Sequence, residues 1–211
     1  MKLGLRRDIR LFKIRWRRRQ CSIQKSRSRR AAKARNLAFP RESSGEFNQE
    51  LCAMHEIGHM VLLHYLVPTK NITARVWKNT DGEWEGRTEP DKVPDVPDYM
   101  AKIYVAGFLA EQMACRVLSK LSYKECYSIF CSVVETKSDY RGFNECYKSQ
   151  FGVENGIVSE FEYYVSIHDE VYSYFIRFGI ERMSDLSRLL SKRSKIKYSD
   201  TVEEGALYFR D

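Results

Sequence analysis

Three of the chain's four histidines fall between residues 55 and 64, and two of them bound the run His55-Glu56-Ile57-Gly58-His59. This is H-E-x-x-H set in a stretch patterned for a helix. Positions i and i+4 of a helix share one face about one turn apart, so both imidazoles can bind a single Zn²⁺. Glu56 leaves the same turn and can act as general base towards a water activated by the metal. The bland reading of these residues is a buried amphipathic helix with two incidental histidines. The motif's mechanics favour zinc.

A catalytic zinc site has three protein ligands and an open position for water. His64 lies five residues beyond His59, about 140° further around the helix, and so faces away. His168 is remote and sits on an amphipathic stretch without ligand context. Two carboxylates compete for the third place. Glu111 lies beside an apolar stripe in Ala106-Gly107-Phe108-Leu109-Ala110-Glu111, where it can reach the metal or bind a histidine from behind. Asp139, in Thr136-Lys137-Ser138-Asp139, stands where a helix begins and could simply cap it. Periodicity does not choose between them.

The elements that must position these groups follow from pattern. A helix is expected from about Glu46 to Leu66, with Ser43 and Ser44 as candidate caps and Pro68 as the stop. Ile72 to Trp77 alternates as a half-buried strand. Asp81-Gly82 supplies a turn, and Trp84 to Thr88 returns as the second strand of a hairpin. Pro90, Pro94 and Pro97 stiffen the connection to a long helix from about Asp98 to Lys120, whose buried stripe runs from Ile103 to Val117. Further helices are expected near 122–135, 138–150, 159–177 and 182–194. The fold class is therefore mainly α (α+β), with one small hairpin after the motif helix.

Charge divides the chain more sharply than the net +8 over 211 residues suggests. Residues 1–41 carry 16 Lys and Arg against Asp8 alone, or +15, which leaves 20 bases and 27 acids, or −7, for residues 42–211. Residues 1–45 thus read as a basic arm and linker, and 46–211 as the folded domain. The arm has three readings: a solvated tail, a grip on nucleic acid or an acidic partner, or an organelle-targeting presequence. No run of about 18 apolar residues exists to cross a membrane, and no apolar core of a signal peptide follows the basic N-terminus. The six cysteines form no C-x-x-C pair and read as reduced thiols of an intracellular, cytoplasmic protein.

Taken in order, the H-E-x-x-H helix, the strand pair, the segment Ala106 to Glu111 and Ser138-Asp139 resemble the peptidase domain of FtsH-type zinc metalloproteases over roughly residues 46–195. The resemblance implies a mostly helical domain, zinc held by His55, His59 and Asp139, Glu56 as the catalytic residue, and Glu111 in support. The chain departs from the family where Phe108 and Leu109 replace an Arg-containing run, and where a Gly-Ala pair is missing before Asp139. It has no G-x-x-x-x-G-K-[ST] and no membrane anchor, so it reads as a detached peptidase domain whose ATPase, if one is used, is a separate partner. A weaker resemblance is to small phage and mobile-element proteases that inactivate repressors, in which the extra histidine falls one residue before the position of His64.

The leading expectation is a zinc-dependent metalloendopeptidase acting on protein or peptide substrates that are unfolded or flexible. The Ile72–Trp77 strand would offer an open edge to an extended substrate. The rival expectation is a nucleic-acid or acidic-partner binding protein that uses the basic arm and carries a structural or inactive zinc site.

Overall fold

The motif segment forms a 22-residue helix, α1 (Gly45–Leu66), and it is the centre of the molecule. Ala53, Ile57, Met60, Val61 and Leu62 are fully buried along it, so it packs on more than one side. The structure, a computed structural model, describes residues 45–67, 71–115, 121–132, 137–152 and 158–198. The basic arm, the candidate caps Ser43 and Ser44, and Cys21 lie outside the described residues.

Against one side of α1 lies a small antiparallel sheet. Strand β1 (Ile72–Lys78) pairs with β2 (Trp84–Pro90), Arg75 opposite Arg87 and Val76 opposite Gly86. Alternation decides which residues face the helix: Ile72, Ala74 and Val76 are buried while Arg75 and Trp77 are exposed. The hairpin turn is built by Asn79, whose Oδ1 accepts the backbone N–H groups of Asp81 (3.0 Å) and Glu83 (2.9 Å). Gly82 follows with φ 81°, a conformation that glycine adopts without steric cost.

On another side of α1 lies α2 (Pro97–Ala114), a helix that is buried almost throughout from Ala101 to Met113. Pro97 at its first turn costs no hydrogen bond, because the N–H there has no helical partner anyway. The two helices cross very closely. A Cβ on Gly58 would stand 2.6 Å from the Ala106 carbonyl oxygen and 2.7 Å from Ala110 Cβ. Filling such a contact costs roughly 1–3 kcal/mol in well-packed interiors. The small residues Gly58, Ala106, Gly107 and Ala110 are what let α2 come within hydrogen-bonding reach of the histidines.

Four further helices follow: α3 (Tyr123–Ser132), α4 (Lys137–Phe151), α5 (Glu160–Phe178) and α6 (Ile180–Arg193). Helix α4 is held by Phe143, fully buried, stacked on Tyr163 and edge-on to Phe130. Asp139 is one turn before Phe143, so anchoring that ring sets the direction of the carboxylate. Helix α5 starts at a capping box in which Ser159 and Glu162 exchange hydrogen bonds. It is tied to α2 by Lys102, a buried cation between Asp98 (2.6 Å) and Glu170 (2.7 Å). Helix α6 lies along the start of α1, where Ser187 Oγ donates to the Glu50 carbonyl at 3.0 Å.

The mainly helical class holds, and the sheet is larger than the expected hairpin. Ser194, left-handed at φ 60°, ends α6 and turns the chain into β3 (Lys195–Lys197), which pairs with β1 on the side away from β2. The strand order is β2-β1-β3. This overturns the expectation that Ile72 to Trp77 is an open edge: β1 is central, and among the described residues β2 and β3 are the edge strands. No helix among the described residues is long and apolar enough to cross a membrane.

Candidate metal centre

Two helices bring three ligand residues together. His55 and His59 project from α1 at helical spacing, and Asp139 comes from the first turn of α4. His55 Nε2 lies 2.9 Å from His59 Nε2 and 3.0 Å from Asp139 Oδ2, and His59 Nε2 is 3.6 Å from the same oxygen. Ligand atoms bound to zinc at about 2.0–2.2 Å in tetrahedral geometry stand about 3.3 Å apart, and the observed separations bracket that value.

The far sides of both imidazoles are spoken for. His55 Nδ1–H donates to Glu111 Oε1 at 2.7 Å, and His59 Nδ1–H donates to the Ile103 carbonyl at 2.8 Å. Protons on both Nδ1 atoms leave both Nε2 atoms as lone-pair donors facing each other and a carboxylate oxygen. Asp139 Oδ2 is buried without a hydrogen-bond partner. Three converging lone pairs repel one another, so the donor set suits a cation at their centre. The chemistry and spacing fit zinc.

Electrostatics tell the same story from the proton's side. Burial opposes a charge on His55, but the Glu111 carboxylate and then Asp139 raise its pKa well above the ordinary range. Burial pushes Asp139 upward, yet His59 and His55 hold its carboxyl well below the usual carboxylate range. A site that favours positive charge at His55 while keeping Asp139 ionised suits a cation. His55, His59 and Asp139 keep 13, 11 and 13 % of their side chains exposed, so water reaches the cluster.

Both alternatives for the third place are thus in the site, in different positions. Asp139 joins the histidine Nε2 atoms, whereas Glu111 stands behind His55 and fixes its ring. Gly107 makes this possible, since a Cβ there would fall 2.5 Å from His55 Nε2. His64 and His168 stand apart, as their spacing suggests: His64 stacks on Tyr198 at 4.0 Å, and His168 is buried edge-on to Tyr123.

Glu56, only 5 % exposed, lies under strand β2. The Thr88 hydroxyl is 2.7 Å from Glu56 Oε2 and 3.0 Å from the Glu56 carbonyl oxygen. With one proton to donate, it gives the stronger, charge-assisted bond to the carboxylate. A Cβ on Gly86 would sit 2.5–2.8 Å from Glu56 Cγ, Cδ and Oε1. Strand β2 therefore grips the carboxylate with one hydroxyl and one missing side chain. Sequence reasoning missed both residues. Gly86 carried a signal, because an isolated glycine in a strand marks a close approach of another group. Thr88 carried none, since its partner is 32 positions away.

Among the described residues no cysteine offers a competing nucleophile. Cys52, Cys115, Cys126, Cys131 and Cys146 are free thiols, and burial pushes Cys115 and Cys126 up to about 11 and Cys131 up to about 12. Thiols so shifted are protonated and inert at neutral pH. The chain matches no protein-family model, no curated protein and no solved structure.

Proposed function

We propose that this chain is a zinc-dependent endopeptidase, built like the peptidase domain of FtsH-type proteases. The observation that carries the reading is the convergence of His55 Nε2, His59 Nε2 and Asp139 Oδ2, all within 4.8 Å of one another, beside a carboxylate on the same helical turn. Bound there, zinc supplies a Lewis acid for the scissile carbonyl and lowers the pKa of a water molecule towards neutrality. His55, His59 and Asp139 would hold the ion, while Glu111 and the Ile103 carbonyl keep the two rings in the ligating tautomer.

Glu56 does the proton work. Its carboxylate accepts a proton from the attacking water and delivers it to the departing amine, so the peptide C–N bond is exchanged for a carboxylic acid and an amine. Thr88 keeps that carboxylate in one rotamer through both transfers. The substrate supplies an extended backbone, which adds to the free edge of β2 and is thereby laid across Glu56. Only an unfolded or flexible segment has free backbone groups for such pairing.

The test is Glu56→Gln, which removes the base and keeps the shape. The variant retains zinc and loses cleavage of an unfolded polypeptide by a factor of about 10²–10⁴, the usual worth of general acid–base catalysis. Cleavage at the wild-type rate would remove Glu56 from the mechanism.

A further inference from the structure

We propose that the outer face of the sheet, with the corner where α6 passes into β3, binds single-stranded nucleic acid. This stands apart from the peptidase reading, because the metal centre is on the other face.

The first observation is where the positive charge lies. Residues 188–197 hold Arg188, Lys192, Arg193, Lys195 and Lys197 and no acid. The rest of residues 42–211 then carries 15 bases and 27 acids, or −12. Two cationic segments, 1–41 and 188–197, are thus set in an otherwise acidic chain. Gln49 Nε2 donates to the Ser191 carbonyl at 2.7 Å, so the second cationic segment packs on the first turns of α1.

The second observation is the register. Lys195 is opposite Arg75, and Arg75 is opposite Arg87, which lines up three cations across three strands on the exposed face. Like charges directly opposite in a sheet are destabilising, so the fold itself gains nothing from this row. Glu89 offsets part of it, reaching Arg87 at 3.0 Å and Arg75 at 3.7 Å. Among the described residues no acid pairs with Lys192, Lys195 or Lys197, all of them exposed.

The third observation is Trp77, 39 % exposed and two residues from Arg75 on the same face. An aromatic ring among regularly spaced cations suits a strand whose phosphates pair with the cations and whose unpaired bases stack. A membrane surface fits less well, since binding there needs an apolar face to insert, and this face offers Trp77 together with Glu85 and Glu89.

The experiment is fluorescence anisotropy of the full-length protein with a labelled oligo(dT), repeated over a salt series. The comparison is with K192Q/K195Q/K197Q, three exposed changes whose folding is checked by thermal melting. Each lost phosphate contact lowers the slope of log K against log salt by about 0.7 on a single strand, so the triple variant should lose about 2 from the wild-type slope. Trp77→Ala should weaken binding roughly tenfold with the slope unchanged. A triple variant with wild-type affinity and slope would mean that the arm alone binds, and would overturn the proposal. So would loss of binding to phosphatidylserine vesicles in the triple variant when the wild type ignores oligo(dT).

Discussion

The two faces of strand β2 do opposite things with polar groups. Inward, Gly86 and Thr88 close on a buried carboxylate at hydrogen-bond distance. Outward, Glu85, Arg87 and Glu89 stand in solvent, with Arg87 71 % exposed. A group removed from the inner face leaves a desolvated partner, which costs far more than the mean hydrogen bond is worth. A group removed from the outer face is replaced by water and ions. The same strand thus carries a geometry-sensitive face and a salt-sensitive one, and substitutions one residue apart should be felt in different experiments.

The largest contrast is between neighbours. Gly86→Ala drives a methyl into the Glu56 carboxylate, and turnover should fall roughly a hundredfold with zinc retained, since the base is displaced and the ligands are not. Arg87→Ala, one residue on, should leave turnover within experimental error. Equal losses in the two variants, measured on the same unfolded substrate, would break the division between the faces. The smallest effect belongs to Glu89→Gln. Exposed ion pairs contribute at most about 1 kcal/mol, so its melting temperature should barely move. Removing the acid that offsets Arg75 and Arg87 should instead tighten oligo(dT) binding at low salt. Weaker binding would place Glu89 in the contact surface as an acceptor.

The motif helix was legible because both its signals are local: the i, i+4 histidines and the apolar stripe lie within a few turns. The helices from Pro97 to Arg193 were legible for the same reason, in periodicity and breakers. What escaped was non-local. Strand β3 is three residues, too short for alternation to register, and exists because Ser194 turns Lys195–Lys197 back onto β1. Its presence buries the edge of β1 and so moves the proposed substrate edge to β2. The rivalry of Glu111 and Asp139 was undecidable from pattern, since both are acids beside apolar runs. Only the close crossing at Gly58 and Gly107, and the anchoring of α4 by Phe143, put one behind His55 and the other before it.

Zinc content tests the central claim most directly, measured after dialysis for the wild type, Asp139→Ala and Glu111→Gln. The account predicts about one ion per wild-type chain, by the usual occupancy of a three-ligand site. Asp139→Ala should lose it, and Glu111→Gln should hold it about 10–100-fold more weakly, as expected for a group that only orients a ligand. A wild-type protein that takes up no zinc, or an Asp139→Ala variant that keeps it while Glu111→Gln does not, would contradict the account.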